Sequence, residues 1–296
     1  MHYVIGDVHG CYTEMKLLLD KIESNDPDAT IIFVGDFIDR GPEVWKVLTW
    51  MMEHVTPEGK YQSVRGNHED MILKWYKEWK IWWREGGFSQ RNSLMPETEY
   101  DFSKWLDGMN YLSPEKLESI IDFFEALPYN KAVPIRTKSG NEIMYRIVHA
   151  WMFPTNKVSE EDQKYYNLWL GEYGGNLDSD EIIVHGHTPT ISMDFWDDVF
   201  DAPGMIDYKK NAINLDGGCC YKYAYNWFPC MLCGICLETL EELYPYTLEE
   251  RMKKIAKEGE TEAKFQERIG LYKECFPGIK NEFYLEMRTR CVPHRY

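Results

Sequence analysis

The sequence predicts an α/β protein whose short buried strands run into loops that carry polar side chains. Five apolar runs have the β-branched and aromatic composition of buried strands. Each run is followed by an aspartate, histidine, asparagine or arginine, and the runs are residues 2–5, 30–34, 61–64, 144–148 and 181–184. Open α/β sheets gather their ligands at the carboxyl ends of their strands. We therefore expect these loops to converge on one site, which we interpret as a catalytic metal centre.

The segments that follow the first three runs have the spacing of helices. Residues 12–22 place apolar side chains at helical intervals, and Pro42 precedes an apolar helix predicted over 44–55. The third loop opens a helix that is predicted to extend through Arg84. Further helices are predicted at 102–109, 113–127 and 160–173. Because residues 88–143 have no convincing strand pattern, we expect them to form a helical cap insertion over one side of the site.

The later part of the chain indicates a second sheet and an appended extension. Residues 212–240 are interpreted as antiparallel strands of that second sheet. The composition changes at Pro245, so we predict a catalytic domain over 1–244 and a C-terminal helical extension over 245–296. In the extension, charged, helix-prone segments at 247–257 and 260–275 predict helices. A partner-binding arm is the alternative interpretation of this extension.

Three of the eight cysteines, Cys230, Cys233 and Cys236, have a spacing that is found in metal clusters. A zinc or iron–sulfur site usually needs four ligands, and the sequence contains no second Cys-x-x-Cys pair. Free cysteine packs as a small apolar residue, so we predict a buried strand of thiols. Disulfides are not expected, because we predict a cytoplasmic protein.

The bulk properties narrow the possible partners. The net charge is −16, and residues 1–244 carry 22 Lys/Arg against 40 Asp/Glu, which is a balance of −18. An acidic domain argues against contact with a nucleic-acid backbone, which needs a basic face. The first strand begins at His2 without a signal-peptide pattern, and no apolar run approaches the length of about 18 residues that a membrane span needs. We expect a cytoplasmic protein without nucleic-acid or membrane partners; the sequence leaves the oligomeric state open.

The first metal ligands are predicted at the ends of the first two strands. Asp7 and His9 are two residues apart, so on leaving an extended strand they can point the same way. Together they offer one oxygen and one nitrogen to a divalent ion. Asp36, after the second strand, can place its carboxylate between two ions.

The later strand ends supply a second set of ligands. Asn67, His149 and His187 offer an amide oxygen and two imidazoles. Mixed nitrogen and oxygen ligation without thiolate favours manganese, iron or zinc over calcium. We therefore predict two divalent ions, with manganese as the leading candidate. His185 could face the same way as His187, but the ligand set is complete without it.

Neighbouring residues have the chemistry of phosphate-ester hydrolysis. Two ions about 3.5–4 Å apart lower the pKa of a bridging water and hold phosphoryl oxygens for in-line attack. His68 is poorly placed to bind the ion of Asn67, so we predict that it protonates the leaving oxygen while Asp39 fixes its orientation. Arg40 and Arg65 supply planar donors that match phosphate. Arg65 has an alternative role as an ion-pair partner inside the domain.

These motifs together resemble a known family. Gly-Asp-x-His-Gly at 6–10, Gly-Asp-x-x-Asp-Arg-Gly at 35–41 and Gly-Asn-His-Glu at 66–69 are followed by His149 and by Gly-His-Thr at 186–188. The set resembles the calcineurin-like metallophosphoesterases, and specifically the bacterial and phage branch of the phosphoprotein phosphatases, over residues 1 to about 240. The resemblance implies the same ligands, the same acid pair and Arg40 as a phosphate ligand. It also implies two mixed β-sheets packed as a central sandwich and flanked by helices.

The resemblance implies a substrate class but also has departures. Symmetric dinucleoside tetraphosphatases share residues 6–11 but typically lack the Asp-Arg-Gly and Asn-His-Glu forms present here at 39–41 and 67–69. We therefore expect a serine/threonine protein phosphatase, with dinucleoside polyphosphate or nucleotide hydrolysis as the alternative and a metal-bound binding protein without turnover as a third possibility. The family usually has a second phosphate-binding arginine after a Leu-Trp pair. Residues 150–186 contain no arginine, and only Lys157 and Lys164 could replace it.

Two smaller interpretations concern aromatic residues. The family tends to have glycine after the His-Ala pair, where this chain has Trp151. Four tryptophans, at 75, 79, 82 and 83, recur at helical spacing. We expect them to pack against the insertion, with an aromatic substrate platform as the alternative.

Overall fold

Two five-stranded mixed sheets form the centre of the protein. The computed structural model describes residues 1–84, 114–137, 140–153, 158–171, 181–190, 204–209, 211–224, 230–247, 249–250, 253 and 261–275. The helix predicted at 102–109 lies outside these residues, as does most of the helix predicted at 247–257.

The strands lie in chain order as β1 (His2–Ile5), β2 (Thr30–Phe33), β3 (Tyr61–Ser63), β4 (Asn130–Arg136), β5 (Glu142–Val148), β6 (Ile182–His185), β7 (Asp207–Lys209), β8 (Ala212–Asn214), β9 (Gly234–Cys236) and β10 (Glu242–Leu243). The helices are α1 (Tyr12–Asn25), α2 (Val44–His54), α3 (Asn67–Arg84), α4 (Pro114–Ala126), α5 (Glu160–Trp169), α6 (Tyr221–Ala224) and α7 (Glu262–Cys275). The five strands expected to carry the site are present as β1, β2, β3, β5 and β6. The predicted helices at 12–22, 44–55, 113–127 and 260–275 correspond to α1, α2, α4 and α7.

The first sheet has the order β10-β9-β1-β2-β3, and the second has the order β4-β5-β6-β8-β7. In the first sheet β1, β2 and β3 are parallel, while β9 pairs antiparallel with β1. In the second sheet β5, β6 and β8 are parallel, and β4 and β7 are antiparallel edge strands. The parallel strands of each sheet end at the edge where the polar loops begin. This architecture confirms the predicted α/β sandwich of two mixed sheets.

The alternation of side chains along the strands places the core on both faces of the first sheet. Val4 and Ile32 are buried in one cluster with Tyr145 and Val184 of the second sheet, which fills the space between the sheets. The alternate residues of β1 and β2 lie in a second cluster with apolar residues of α1 and α2. Each fully buried aliphatic or aromatic side chain contributes about 1.5–3 kcal/mol. The strand ends are therefore anchored by packing on both faces.

The sequence prediction was wrong about the end of the cap segment. Within residues 88–143, which were expected to lack strands, β4 pairs antiparallel with β5 along its whole length. Only Val133 and Ile135 are buried in β4, so its apolar alternation is short. It also contains Pro134, which lacks a backbone N–H and is tolerated in an edge strand. An edge strand with one solvated face has a weak sequence pattern.

The assignment of residues 212–240 to a second sheet was also only partly correct. β8 lies in the second sheet, but β9 pairs with β1 in the first sheet. The expectation of buried thiols in this region is confirmed, because Cys230, Cys233 and Cys236 are all buried. Within the described part of the chain, every helix is too short or too polar to cross a membrane.

Candidate metal centre

The residues predicted as metal ligands come from both sheets and lie close together. Asp7 and His9 follow β1, Asp36 follows β2, and His149 directly follows β5. Asn67 is the first residue of α3, which begins shortly after β3. These five side chains are at most 5% exposed, so their polar atoms have been removed from water and need partners.

Asp36 occupies the centre of the cluster. Its Oδ2 atom lies 3.4 Å from Nε2 of His9 and 3.4 Å from Nε2 of His149. One carboxylate oxygen therefore faces a histidine from each sheet. This is the position that a ligand shared by two ions requires.

The second set of donors forms a tight triangle. Oδ1 of Asn67 lies 2.8 Å from Nε2 of His149 and 3.1 Å from Nδ1 of His187, and the two nitrogens are 3.1 Å apart. Two ligand atoms at about 2.1 Å from one ion are about 3.0–3.4 Å from each other. The spacing of the three donors therefore fits a single divalent cation.

Backbone carbonyls fix the tautomers of two of the histidines. Nδ1 of His9 lies 2.7 Å from the carbonyl of Ile38, and Nδ1 of His149 lies 3.0 Å from that of Val34. A carbonyl only accepts hydrogen bonds, so each Nδ1 carries the proton and donates it. Each Nε2 then presents a lone pair to the centre, as a metal ligand must.

The part of the site next to the first sheet contains several buried carboxylates that lie near one another. Asp7 accepts the backbone N–H of His187 at 3.1 Å, and it is buried near Asp36 and Asp216. Burial, followed by the charges of Asp216 and Asp36, raises the pKa of Asp7 well above its ordinary value. Oδ2 of Asp216 is buried and has no hydrogen-bond partner among the residues that the structure describes. A divalent cation would stabilise this group of carboxylates, so the chemistry of these residues fits a metal.

His68 and Asp39 form a close pair beside the cluster. Nδ1 of His68 lies 2.5 Å from Oδ2 of Asp39, and Nε2 of His68 lies 3.2 Å from a guanidinium nitrogen of Arg40. Burial lowers the pKa of His68, but the charges of Asp36 and Asp39 outweigh this effect and raise the pKa overall. The pair therefore favours a protonated imidazole. Arg40 also reaches Nε2 of His9 at 3.0 Å, and the residue remains partly exposed to solvent beside the cluster.

Glu69 is a buried residue of the site whose role was not predicted from the sequence. Its carboxylate accepts the backbone N–H groups of Asp36 at 2.9 Å, Phe37 at 3.1 Å and Gly66 at 2.9 Å. Burial, followed by the charge of Asp36, raises the pKa of Glu69 to about 8. Glu69 thus ties the loop after β2 to the loop after β3. Its place in the Gly-Asn-His-Glu motif was the available signal.

The backbone of these loops is strained. The non-glycine residues of the site with positive φ are His9 (41°), Asp36 (50°), Asp39 (67°), Arg40 (62°) and His187 (68°). Among the described residues, Leu240 is the one other non-glycine residue with positive φ. Such strain costs of order 1–3 kcal/mol per residue and persists where the surrounding structure imposes it. A side chain at Gly66 or Gly186 would also collide with Asp36 or Asp7, so these motifs need glycine there.

The contacts of Arg65 and His185 favour their structural roles. The guanidinium of Arg65 donates to the Tyr129 hydroxyl at 3.0 Å and to the Glu125 carbonyl at 2.7 Å, and it lies 3.6 Å from Asp70. It is 7% exposed, so the ion-pair alternative suits Arg65 better than phosphate binding. The buried ring of His185 packs edge-on against Trp151.

The side of the second sheet contains an aromatic ring and a lysine that the sequence did not connect. Trp169 lies edge-on to His187, with 6.5 Å between the ring centroids. Nζ of Lys74 lies 5.8 Å from the centroid of the Trp169 ring. Of the two lysines considered as replacements for the absent arginine, Lys164 pairs with Glu160, and Lys157 lies outside the described residues. Lys74 also forms an ion pair, with Asp70 at 2.9 Å, but unlike Lys164 it lies over the ring of Trp169 beside His187.

Two mixed sheets carry aspartate, asparagine and histidine donors at the ends of their strands, and this arrangement suits an α/β protein with a metal centre. The model of the calcineurin-like phosphoesterase family matches residues 3–216. The chain therefore belongs to the calcineurin-like phosphoesterases, a family that uses a dinuclear metal centre.

Individual relatives were also found. The chain is 27% identical over 217 residues to a symmetrical bis(5'-nucleosyl)-tetraphosphatase of Neisseria meningitidis, covering 71% of this chain and 63% of that relative's length. It is 26% identical over 242 residues to the asymmetrical bis(5'-nucleosyl)-tetraphosphatase PrpE of Oceanobacillus iheyensis, covering 74% and 84% of the two chains. A solved metallophosphoesterase from Sphaerobacter thermophilus is similar, with a TM-score of 0.45, 14% identity and coverage of 90% and 96%.

Proposed function

We propose that the protein hydrolyses phosphate esters or anhydrides with two divalent ions held by Asp7, His9, Asp36, Asn67, His149 and His187. The observation that carries this proposal is the position of Asp36, whose Oδ2 lies 3.4 Å from histidine nitrogens of both sheets. Bound ions would supply an activated water and Lewis-acid polarisation of the phosphoryl group. Manganese is the metal that we propose first, with iron or zinc as alternatives.

The protein groups around the ions have separate tasks. Arg40 is exposed at the mouth and can donate in parallel to two phosphoryl oxygens. His68 presents Nε2 towards the centre and holds its other nitrogen against Asp39 at 2.5 Å. We assign to His68 the transfer of a proton from Nε2 to the leaving oxygen. The side chains of the proposed metal ligands other than His187 are buried, so bulk water has little access to them.

A dinucleoside polyphosphate is the substrate class that we place first. The relatives from Neisseria meningitidis and Oceanobacillus iheyensis are tetraphosphatases of such compounds, which supports the alternative over the protein phosphatase expected from the sequence. Two aromatic rings near the proposed ligands also support a dinucleotide substrate, because each ring could stack on a base. The Tyr221 ring centroid is 5.9 Å from Cζ of Arg40, and Trp169 lies beside His187.

A serine/threonine phosphoprotein remains the second candidate. The motivating observation is the Asp-Arg-Gly and Asn-His-Glu forms at 39–41 and 67–69. The cytoplasmic location and the absence of nucleic-acid partners, both expected from the sequence, stay predictions.

Substrate competition tests the proposal. We would measure kcat/KM with Mn²⁺ for diadenosine tetraphosphate, a phosphoserine peptide and p-nitrophenyl phosphate. The proposal expects turnover of all three to vanish with a chelator and return with Mn²⁺, and expects the dinucleotide to be preferred. A large preference for the peptide would favour the second candidate, and no turnover of any substrate would favour a binding protein.

Aromatic variants test the stacking roles. Trp169→Leu and Tyr221→Leu should each lower kcat/KM for the dinucleotide by about tenfold, since base stacking contributes about 1–3 kcal/mol. Hydrolysis of p-nitrophenyl phosphate should change little. Tyr165→Leu is the matched control, because Tyr165 is 58% exposed and packs beside Tyr166. Equal losses on both substrates would contradict a role in base recognition.

A further inference from the structure

A second cluster of metal-binding side chains lies next to the centre. Cys11, Glu14 and Cys219 are all buried, and one donor atom from each lies within 4.8 Å of the others. Cys11 is two residues after His9, and Cys219 is three residues after Asp216. The cluster therefore joins the segment that carries the predicted ligand His9 to the segment that carries Asp216, the carboxylate near Asp7.

The surroundings of the cluster are polar and charged on one side. Glu14 forms an ion pair with Lys222, and the hydroxyl of Tyr223 donates to Glu14 at 3.3 Å. The side chains of Glu14 and Lys222 are 4% and 11% exposed. A carboxylate and an ammonium group are thus buried beside two thiols, within the interior of the domain.

We propose that Cys11, Glu14 and Cys219 form a structural zinc site, distinct from the dinuclear centre. Two sulfurs and one carboxylate suit zinc, which binds thiolate, imidazole and carboxylate ligands, better than magnesium or calcium. With both thiols bound as thiolates, the charges of Zn²⁺, the two sulfurs, Glu14 and Lys222 sum to zero. The thiols of Cys220 and Cys230 are also buried and interact electrostatically with that of Cys219, so they are the candidates for the fourth ligand of a tetrahedral zinc ion.

Zinc at this position would connect two parts of the fold. Cys11 immediately precedes α1, and its Sγ donates to the His9 carbonyl at 3.5 Å. Cys219 lies shortly before α6, which contributes Lys222. The ion would hold the loop that carries His9 against the segment that follows Asp216. Because the two cysteines are 208 residues apart, the sequence contains no zinc motif that would indicate the site.

Cobalt substitution tests the proposal with a readout that the dinuclear centre does not produce. The six donors of that centre are nitrogen and oxygen atoms, so thiolate-to-cobalt charge transfer in the near ultraviolet reports on the thiol site alone. We would load the full-length, reduced protein with Co²⁺ and record this absorption. The wild type should show the band, and Cys219→Ser should lose it together with one bound metal ion per chain.

Two further measurements complete the experiment: a control substitution at a different buried cysteine, and X-ray absorption of the unaltered protein. Cys236→Ser removes another buried thiol, in β9, and should retain the band. Zinc X-ray absorption of the wild type should show sulfur ligands at about 2.3 Å, which needs no substitution at all. Absence of sulfur scattering and of the cobalt band in the wild type would overturn the proposal. So would a band that survives Cys219→Ser, or a Cys11–Cys219 disulfide in protein purified under reducing conditions.

Discussion

The two halves of the candidate centre supply different chemistry. The half next to the first sheet provides the carboxylates of Asp7 and Asp36 from loops with strained backbone, and Glu69 holds these loops together. The half next to the second sheet provides two imidazoles. His149 directly follows β5, and His187 lies two residues after the end of β6. Carboxylates dominate one half, and imidazoles dominate the other.

Because of this difference, the carboxylates of one half attract the cations, and the imidazoles of the other half bind them as neutral ligands. Burial lowers the pKa of His187 to about 4 and also lowers that of His149, so both imidazoles are neutral at pH 7 and can bind a cation. The buried carboxylates instead create a negative field that attracts the cations. A centre of this kind needs both, because neutral donors alone attract an ion weakly and buried carboxylates alone are unstable.

The largest expected effect comes from removing the group that the two halves share. Asp36→Asn should lower kcat by about 10³-fold or more, because several kcal/mol of metal-based stabilisation is lost and each 1.4 kcal/mol is a factor of ten. Hydrolysis of p-nitrophenyl phosphate with Mn²⁺ measures it. Asp70→Asn is the control, since Asp70 is buried nearby but pairs with Arg65 and Lys74. Equal turnover by Asp36→Asn and wild type would refute the ligand assignment.

The second largest effect is expected from removing one of the two histidines in the half next to the second sheet. His187→Asn should remove one bound metal ion per chain and lower kcat by about 10²-fold, since one of the two ions then lacks a nitrogen ligand. His185→Asn should keep both ions, because the His185 ring packs against Trp151. Metal content after gel filtration distinguishes the two variants. Loss of the same ion from His185→Asn would show that the structural role given to His185 is wrong.

A smaller effect is expected from the residue that positions the first half. Glu69→Gln keeps the size of the side chain but replaces one of the two oxygens that accept three backbone N–H groups with an amide nitrogen, which cannot accept them. Manganese affinity should fall by about 10–100-fold, as is typical of groups that orient metal ligands. Calorimetric titration of wild type and variant checks this. A wild-type affinity would mean that the loops hold their conformation without Glu69.

The smallest effect is the pH dependence of the metal-free protein. Burial raises the pKa of Glu69 to about 8, so between about pH 8 and 4.5 the folded state binds more protons than the unfolded state, and stability rises as the pH falls. Burial lowers the pKa of His185 and of His187 to about 4, so below about pH 6.5 these groups act in the opposite direction.

The melting temperature in chelator should therefore rise by a few degrees from pH 8.5 to about 6.5 and then level off or fall. Glu69→Gln should make this rise smaller, because the raised pKa values of Asp7 and His68 act in the same direction and remain in the variant. A melting temperature that instead increases with pH over the alkaline range would contradict the raised pKa of Glu69.

The sequence predicted the fold class and the convergence of the donor residues, but not every strand pairing. Asp7, His9 and Asp36 follow apolar strands within a few residues, and this local arrangement was sufficient to expect that they lie close together. The placement of β9 depended on which strand edge was free, and a segment of three residues has too little pattern to choose between β1 and β8. The edge strand β4 was missed because one of its faces is solvated.

Contacts between distant residues were the other part that the sequence left open. The network of Arg65 with Tyr129 and Glu125, and the approach of Lys74 to Trp169, link elements that have no local pattern in common. The same holds for Cys11 and Cys219.

By itself the sequence determined the strand ends, the donors that follow them and the family, because periodicity and motif spacing are properties of neighbouring residues. The tertiary structure decided which donors lie close enough to bind the same ion. It also decided that Arg65 bonds to residues away from the centre and that Cys11 and Cys219 lie close together. Those outcomes depend on how two sheets pack, and packing is set by the whole core rather than by any one segment.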